Sequence, residues 1–396
     1  MTTETVPSTK SAGVNWLLAL IPLLLLGAVL AYLVVTGGGL SELAGPPVEQ
    51  VTIQRITLPA PNQIRVEVVN DGPQTVTIPQ VLVDDAYWSF SAEPSNTIPR
   101  LGRAVFTIPY PWVEEETHAV RLITSLGVTF DGEIAVAVES PTPSLSLFTR
   151  FGLIGVYVGV VPVLLGMLWY PLLRRLSRKA MDFILALTIG LLVFLAVGTW
   201  LDALEFAAEL PAFWQGAPLV FFVALATLGV LLAVGSRDGG GERSALQIAY
   251  LIALGIGLHN LGEGLAIGAA YTAGEAALGT FLVLGFTLHN ITEGVGIAAP
   301  IVRKNPGLRH FALLILLAGG PAMLGTWIGG FAFNPVWATL FLAVGIGAIL
   351  QVVWEVGKLL IRSSQQAGGS AINWMNLGGM GAGLAIMYLT AVLVKF

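Results

Sequence analysis

Apolar residues gather along this chain in long unbroken runs separated by short polar connections, a pattern that predicts helices crossing a bilayer. Eight runs follow one another from Phe148 onward, at roughly 150–173, 181–204, 216–235, 246–271, 277–301, 309–332, 336–361 and 372–394. Each has the roughly 17–25 residues that a helix needs to span the hydrocarbon core. A ninth run, 14–36, follows a polar start carrying Lys10. Its apolar core exceeds the roughly 7–15 residues of a secretory leader, and Ser41–Gly45 offers only a weak cleavage site. It reads as an uncleaved anchor helix behind a cytoplasmic N-terminus, 1–13.

Between the anchor and the eight runs, over 46–140, the period changes from helical to alternating. Gln50-Val51-Thr52-Ile53-Gln54-Arg55-Ile56 and Ile64-Arg65-Val66-Glu67-Val68-Val69 alternate as half-buried strands do. Further strands are expected near 75–83, 86–92, 103–108, 119–124 and 127–138, with Asn70-Asp71-Gly72-Pro73 and Asp131-Gly132 as turns. Seven short strands predict an all-β sandwich, immunoglobulin-like or cupredoxin-like. A blue-copper site is excluded here, since it needs a Cys and two His and the segment holds only His118. His118 reads as a surface or strand-end residue, and Glu114-Glu115-Glu116 as a solvated face.

Composition agrees with a polytopic membrane protein: 55% of residues are hydrophobic and 11% charged. The net charge of −5, without a Lys/Arg run, argues against a nucleic-acid partner. There is no cysteine, so any metal site must draw on His, carboxylate, amide or hydroxyl ligands. Basic residues fall on alternate connections: Arg174, Arg175, Arg178 and Lys179; Arg237 and Arg243; Arg303, Lys304 and Arg309; Lys358 and Arg362. The intervening connections hold Glu205 and Glu209, Glu275, and the uncharged Phe333-Asn334-Pro335. By the positive-inside rule the basic loops are cytoplasmic, which puts the β-domain and the C-terminus outside.

The candidate chemistry is a repeat at an offset of 30 residues. Leu258-His259-Asn260-Leu261-Gly262-Glu263-Gly264 matches Leu288-His289-Asn290-Ile291-Thr292-Glu293-Gly294. Each His falls close to the middle of its run. His and Glu are four apart and Asn and Glu three apart, so they share one helix face. Charged residues at mid-bilayer are costly and rarely face lipid. No Lys or Arg lies between Gln247 and Pro300 to neutralise the glutamates. A divalent cation would neutralise both carboxylates and accept imidazole lone pairs, and Zn²⁺ favours that mixed N/O set. The plainer alternative is a polar network that ties two helices together without a metal. The many glycines nearby are explained by close helix packing.

At these residues the chain resembles the ZIP family of divalent-metal transporters, and its motif pair is similar to that of the bacterial GufA-type branch. The resemblance covers about 148–396 and implies an eight-helix transport unit in a prokaryotic plasma membrane. It implies that His259, Asn260 and Glu263 of the fourth helix and His289, Asn290 and Glu293 of the fifth bind the transported ion. It further implies a role at the exit for Gln351 and Glu355, within Gly347-Ala348-Ile349-Leu350-Gln351-Val352-Val353-Trp354-Glu355; an ion pair of Glu355 with Lys358 is the equal alternative. Asp202 is a candidate at the outer mouth, or else an interfacial acid. The family's motif proline is Gly262 in one copy and Thr292 in the other, which softens the expected kinks. The sixth-helix acid is missing from Ala318-Gly319-Gly320-Pro321, so one central site is expected rather than a binuclear centre. The loop Ser236–Arg243 lacks the family's histidines.

The leading expectation is therefore transport of a divalent transition metal into the cytoplasm by alternating access, without enzymatic activity. Zn²⁺ suits the ligands best, with Fe²⁺, Mn²⁺, Co²⁺ and Cd²⁺ able to take the same set. The expected partners are the ion as substrate and the lipid bilayer, with no organic cofactor, and a homodimer is an open assembly. Two other classes stand beside it: an intramembrane metal-dependent hydrolase, for which neither copy supplies the second His of His-Glu-x-x-His, and a metal-gated receptor acting through the β-domain.

Overall fold

The computed structural model describes residues 16–36, 49–236, 244–272 and 276–394. The N-terminal segment 1–13, Ser41–Gly45, Arg237, Arg243 and Glu275 lie outside the described residues. Helix α1 (Trp16–Thr36) forms a unit of its own. Its 21 residues span about 31 Å at 1.5 Å per residue, close to the hydrocarbon thickness, and its described side chains from Leu20 to Leu33 are all exposed.

The remaining residues begin with strands. One antiparallel sheet has the order β1 (Val51–Ala60), β2 (Gln63–Asn70), β8 (Arg103–Ile108), β6 (Ser91–Glu93). A second has the order β10 (Thr129–Ile134), β9 (His118–Ile123), β4 (Gln80–Val83), β5 (Ala86–Trp88). Alternate residues of each point inward: Ile64, Val66 and Val68 from β2 and Ala104, Phe106 and Ile108 from β8 share one core with Val81, Val83, Val120 and Leu122. Two four-stranded layers around a single core make a sandwich.

The strand expectations need two corrections. The run 75–83 divides into β3 (Val76–Thr77), which pairs with β7 (Thr97–Ile98), and β4. Pro79, which has no N–H for a ladder, sits at the break. The run 86–92 likewise divides into β5 and β6, which belong to different sheets. Asp84 and Asp85 join β4 to β5 with φ of 51° and 62°, the left-handed pair that a two-residue hairpin demands.

His118 opens β9, yet it is buried rather than on the surface. Its Nδ1 lies 2.8 Å from Asp84 Oδ2, and its Nε2 accepts from the Val113 N–H. The Tyr110 hydroxyl donates to the same Asp84 oxygen at 2.6 Å, and the Ala119 N–H donates to Asp84 Oδ1. Burial alone would raise the Asp84 carboxyl, but these hydrogen bonds and the nearby imidazole hold it below the usual carboxylate value. The bond to Asp84, aided by burial, pushes the Tyr110 hydroxyl up to about 12.

A raised tyrosine contributes stability that is complete below its unfolded value of about 10 and lost as pH rises through its folded one. A lowered carboxyl contributes above its unfolded value and is lost as pH falls through its folded one. The corner should therefore hold through neutral pH and weaken at both extremes. An absorbance titration of the tyrosines should find one ionising near 12, and Asp84→Asn should bring it down; an unchanged titration in that variant would count against this corner.

Eight helical spans follow, each long and apolar enough to cross a membrane, counted among the described residues. The first is α2 (Leu145–Gly155), a π-helical turn (Val156–Val160), α3 (Val161–Met167) and α4 (Tyr170–Leu173). The others are α5 (Arg178–Ala208), α6 (Gly216–Ser236), α7 (Ala245–Thr272), α8 (Ala276–Ala298), α9 (Leu308–Ala332), α10 (Pro335–Gln366) and α11 (Trp374–Val394). Their bounds match the apolar runs closely because run length alone sets the span.

Side-chain contacts assign the connections to two ends. At one, the Tyr170 hydroxyl donates to the Lys304 carbonyl, Tyr170 packs edge-on to Phe311, and Tyr250 bonds His310. The basic connections near 174–179 and 303–309 therefore meet there. At the other, Phe206 meets Phe333, Trp327 stacks on Phe148, and Asp71 of the β-domain accepts from the Ala212 N–H.

Candidate metal centre

The two motif helices deliver their side chains to one buried place. His259, Asn260, Glu263, His289, Asn290 and Glu293 are all at most 7% exposed. Both helices run unbroken through the motif, as the absence of the proline allows, and Thr292 instead donates its hydroxyl to the His289 carbonyl.

Glu263 is the hub. Its Oε1 lies 2.9 Å from His259 Nε2 and 2.6 Å from His289 Nε2, and its Oε2 accepts from the Asn290 amide at 3.3 Å. Glu293 is its opposite. Neither of its oxygens meets hydrogen-bond geometry with a partner, and Asn260 and His289 are its polar neighbours. His259, His289 and Glu293 each offer a ligand atom within 4.8 Å of the others. A tetrahedral ion bound at about 2.1 Å holds its ligands about 3.4 Å apart, so a closure of about 1.4 Å or less would suffice.

The asparagines turn out to be tethers between helices. Asn260 Nδ2 donates to the Ala318 carbonyl of α9 at 3.1 Å, and Asn290 Nδ2 to the Val158 carbonyl in the π-helical turn at 3.0 Å. In both, Oδ1 is buried without a partner. The motif glycines repeat the same device one turn on. A Cβ at Gly264 would lie 2.1 Å from the Ala322 carbonyl, and one at Gly294 would lie 2.4 Å from that of Val163.

Each copy thus grips a neighbouring helix at two carbonyls, 318 and 322 in one case and 158 and 163 in the other. The extra residue in the second interval is the one that the π-helical turn takes up. The two gripped helices in turn cross at Gly159 and Gly319, where a Cβ on either would strike the other's carbonyl. The 30-residue repeat in sequence is therefore a paired arrangement in space.

The outer members of the predicted set are placed differently. Asp202 is exposed toward the end of α5, outside the buried constellation. Gln351 is 1% exposed, with neither amide atom hydrogen-bonded, and its Oε1 would lie 2.8 Å from a Cβ on Gly255, one turn along α7 from His259. Glu355 is buried and ion-paired: Lys358 Nζ lies 2.9 Å from its Oε1.

The sequence reading missed Val158, whose contribution is a backbone carbonyl and leaves no side-chain signal. It also missed a small cavity beside His289, Thr292 and Glu293, closed by Thr188, Leu191, Leu192 and Leu195 of α5 and Met387 of α11. Asp182 was passed over too; it is 6% exposed with one carboxylate oxygen unpartnered. An acid at the second position of the apolar run 181–204 was the available clue.

Fold and site define the class: a polytopic helical protein with the build of an integral membrane protein and a buried His/Glu cluster within its spans. No family model matches the chain, and no curated protein matches it in sequence.

Proposed function

We propose that this protein carries a divalent transition metal ion across the membrane into the cytoplasm, with Zn²⁺ the best-fitting substrate. One observation carries the reading: two imidazoles and two carboxylates converge inside apolar helices that hold no Lys or Arg between Gln247 and Pro300. A buried carboxylate without partners, as at Glu293, costs several kcal/mol in a low-dielectric interior. A divalent cation would offset that cost, and the unpartnered Oδ1 atoms of Asn260 and Asn290 would complete its shell. Loading would require the ion to displace the contacts that hold Glu263 between the two imidazoles. The similarity to ZIP transporters in the motif pair supports the same reading, as does the oxygen-and-nitrogen donor set, which suits Zn²⁺ better than Ca²⁺ or Mg²⁺.

The route inward follows the seam of α7 and α10. A Cβ at Gly345 would touch His259, and Gln351 rests against Gly255, so His259, Gln351 and Glu355 fall on successive levels toward the basic end of the bundle. The positive-inside rule makes that end cytoplasmic. The β-domain, at the opposite end through Asp71 and Ala212, is then external. Alternating access opens this seam first to one side of the membrane and then to the other.

The test is accumulation of radioactive zinc by proteoliposomes holding the full chain. Wild type should concentrate the ion against controls, and a Glu263→Ala, Glu293→Ala double variant should not. Vesicles that bind zinc but never accumulate it would rule out transport and leave a metal-binding receptor.

A further inference from the structure

Resting on the transport reading, we propose that Lys358 is a tethered substitute for the transported ion, holding the exit carboxylate of Glu355 until a metal displaces it. The geometry is that of a buried acid supplied with its own cation. Glu355 has a side chain 3% exposed, while the Lys358 ammonium, 2.9 Å from Oε1, belongs to a side chain 32% exposed. The stem of Lys358 therefore reaches from the edge of the bundle to a buried carboxylate. Its ammonium also lies 5.6 Å from the Trp354 ring, which gives it a second resting place once it leaves the acid.

The position along the helix completes the argument. Gln351 and Glu355 are one turn apart on α10, and Gln351 is the buried amide without hydrogen bonds that lies between the His259 level and Glu355. A divalent ion leaving the central site meets first a bare amide oxygen and then a carboxylate already neutralised. Without the Lys358 ammonium, Glu355 would hold the ion as a buried charge holds its partner, and release would slow. With the ammonium present, the arriving ion must compete for the carboxylate. The lysine returns as the ion departs, so Glu355 is never left uncompensated in the apolar interior. Lys358 acts through Glu355 and is a positioning residue; it does not bind the ion.

Four forms of the full-length protein test this: wild type, Lys358→Met, Lys358→Arg, and Glu355→Gln with Lys358→Met. Equilibrium zinc binding is measured in detergent, and initial uptake rates in proteoliposomes. Lys358→Met should gain one zinc ion per chain, with KM and kcat both falling by about tenfold or more, equivalent to about 1.4 kcal/mol. Lys358→Arg should behave as wild type, and the double variant should lose the gained ion. Lys358→Gln, which keeps a donor at Glu355 without the charge, gives the same readout if the methionine variant does not fold. A purely structural ion pair would change thermal stability and leave zinc stoichiometry and the KM–kcat split alone, which would overturn the proposal. So would extra zinc that survives in the double variant. If wild type accumulates no zinc while Lys358→Met gains a Glu355-dependent ion, transport falls and the tethered cation stands.

Discussion

Replacing Glu263 with alanine should abolish zinc uptake and lower the thermal stability of the metal-free protein, whereas the same change at Glu293 should abolish uptake and raise that stability. The two acids occupy matching places in the repeat, so a sequence comparison assigns them equal effects. Their surroundings differ. Glu263 accepts from both imidazoles and from the Asn290 amide. Removing it leaves three buried polar groups without their shared partner, and breaking a buried pair in this way costs about 3–5 kcal/mol. Glu293 holds no donor in hydrogen-bond geometry in the metal-free molecule. Replacing it removes a desolvated carboxylate and leaves no partner stranded. Zinc affinity should fall in both by at least the roughly 10–100-fold typical of losing a supporting group around a metal. Thermal unfolding of detergent-purified variants with and without zinc reads both signs. A fall in stability for both metal-free variants would disprove the division of roles.

The second large effect is expected at the crossing of α7 and α9. Valine at Gly264 or Gly325 should prevent assembly of the bundle, and alanine at either should cost about 1–3 kcal/mol. A Cβ on Gly264 would lie 2.1 Å from the Ala322 carbonyl, and one on Gly325 would lie 2.1 Å from that of Leu261. The obstacle in each case is backbone rather than a side chain able to turn away, so the helices would have to separate. Separation would also pull the Ala318 carbonyl away from Asn260 and loosen the centre. By contrast, Gly320, on the same helix as Gly325, meets nothing within 4 Å and should accept alanine freely. Yield of folded protein on size-exclusion chromatography separates the two classes. Equal yields for Gly264→Val and Gly320→Ala would refute the close-approach argument.

Much of the architecture is legible without coordinates because its cause is local. Crossing a bilayer demands a length, and the eight runs declare it; strand alternation and the turn at Asn70-Asp71-Gly72-Pro73 declare the β-domain. The strand boundaries that went wrong are those where one extended run serves two sheets, as at Pro79. There the local period is correct and the choice of partner strand is tertiary. Lys358 and Glu355 show the same limit, since three residues of separation permits an ion pair but does not decide it.

The sequence alone determined which residues could form a centre, because the spacing of His, Asn and Glu puts them on one face and the repeat puts two such faces in one hairpin. Only the tertiary structure distinguished them. It made Glu263 a hub and Glu293 a bare carboxylate, and it turned both asparagines into tethers on Ala318 and Val158. It also gave the motif glycines carbonyls to press against. The reason is physical: a side chain's role depends on which donors reach it across helices, and a repeat that is uniform in sequence meets different neighbours on its two sides.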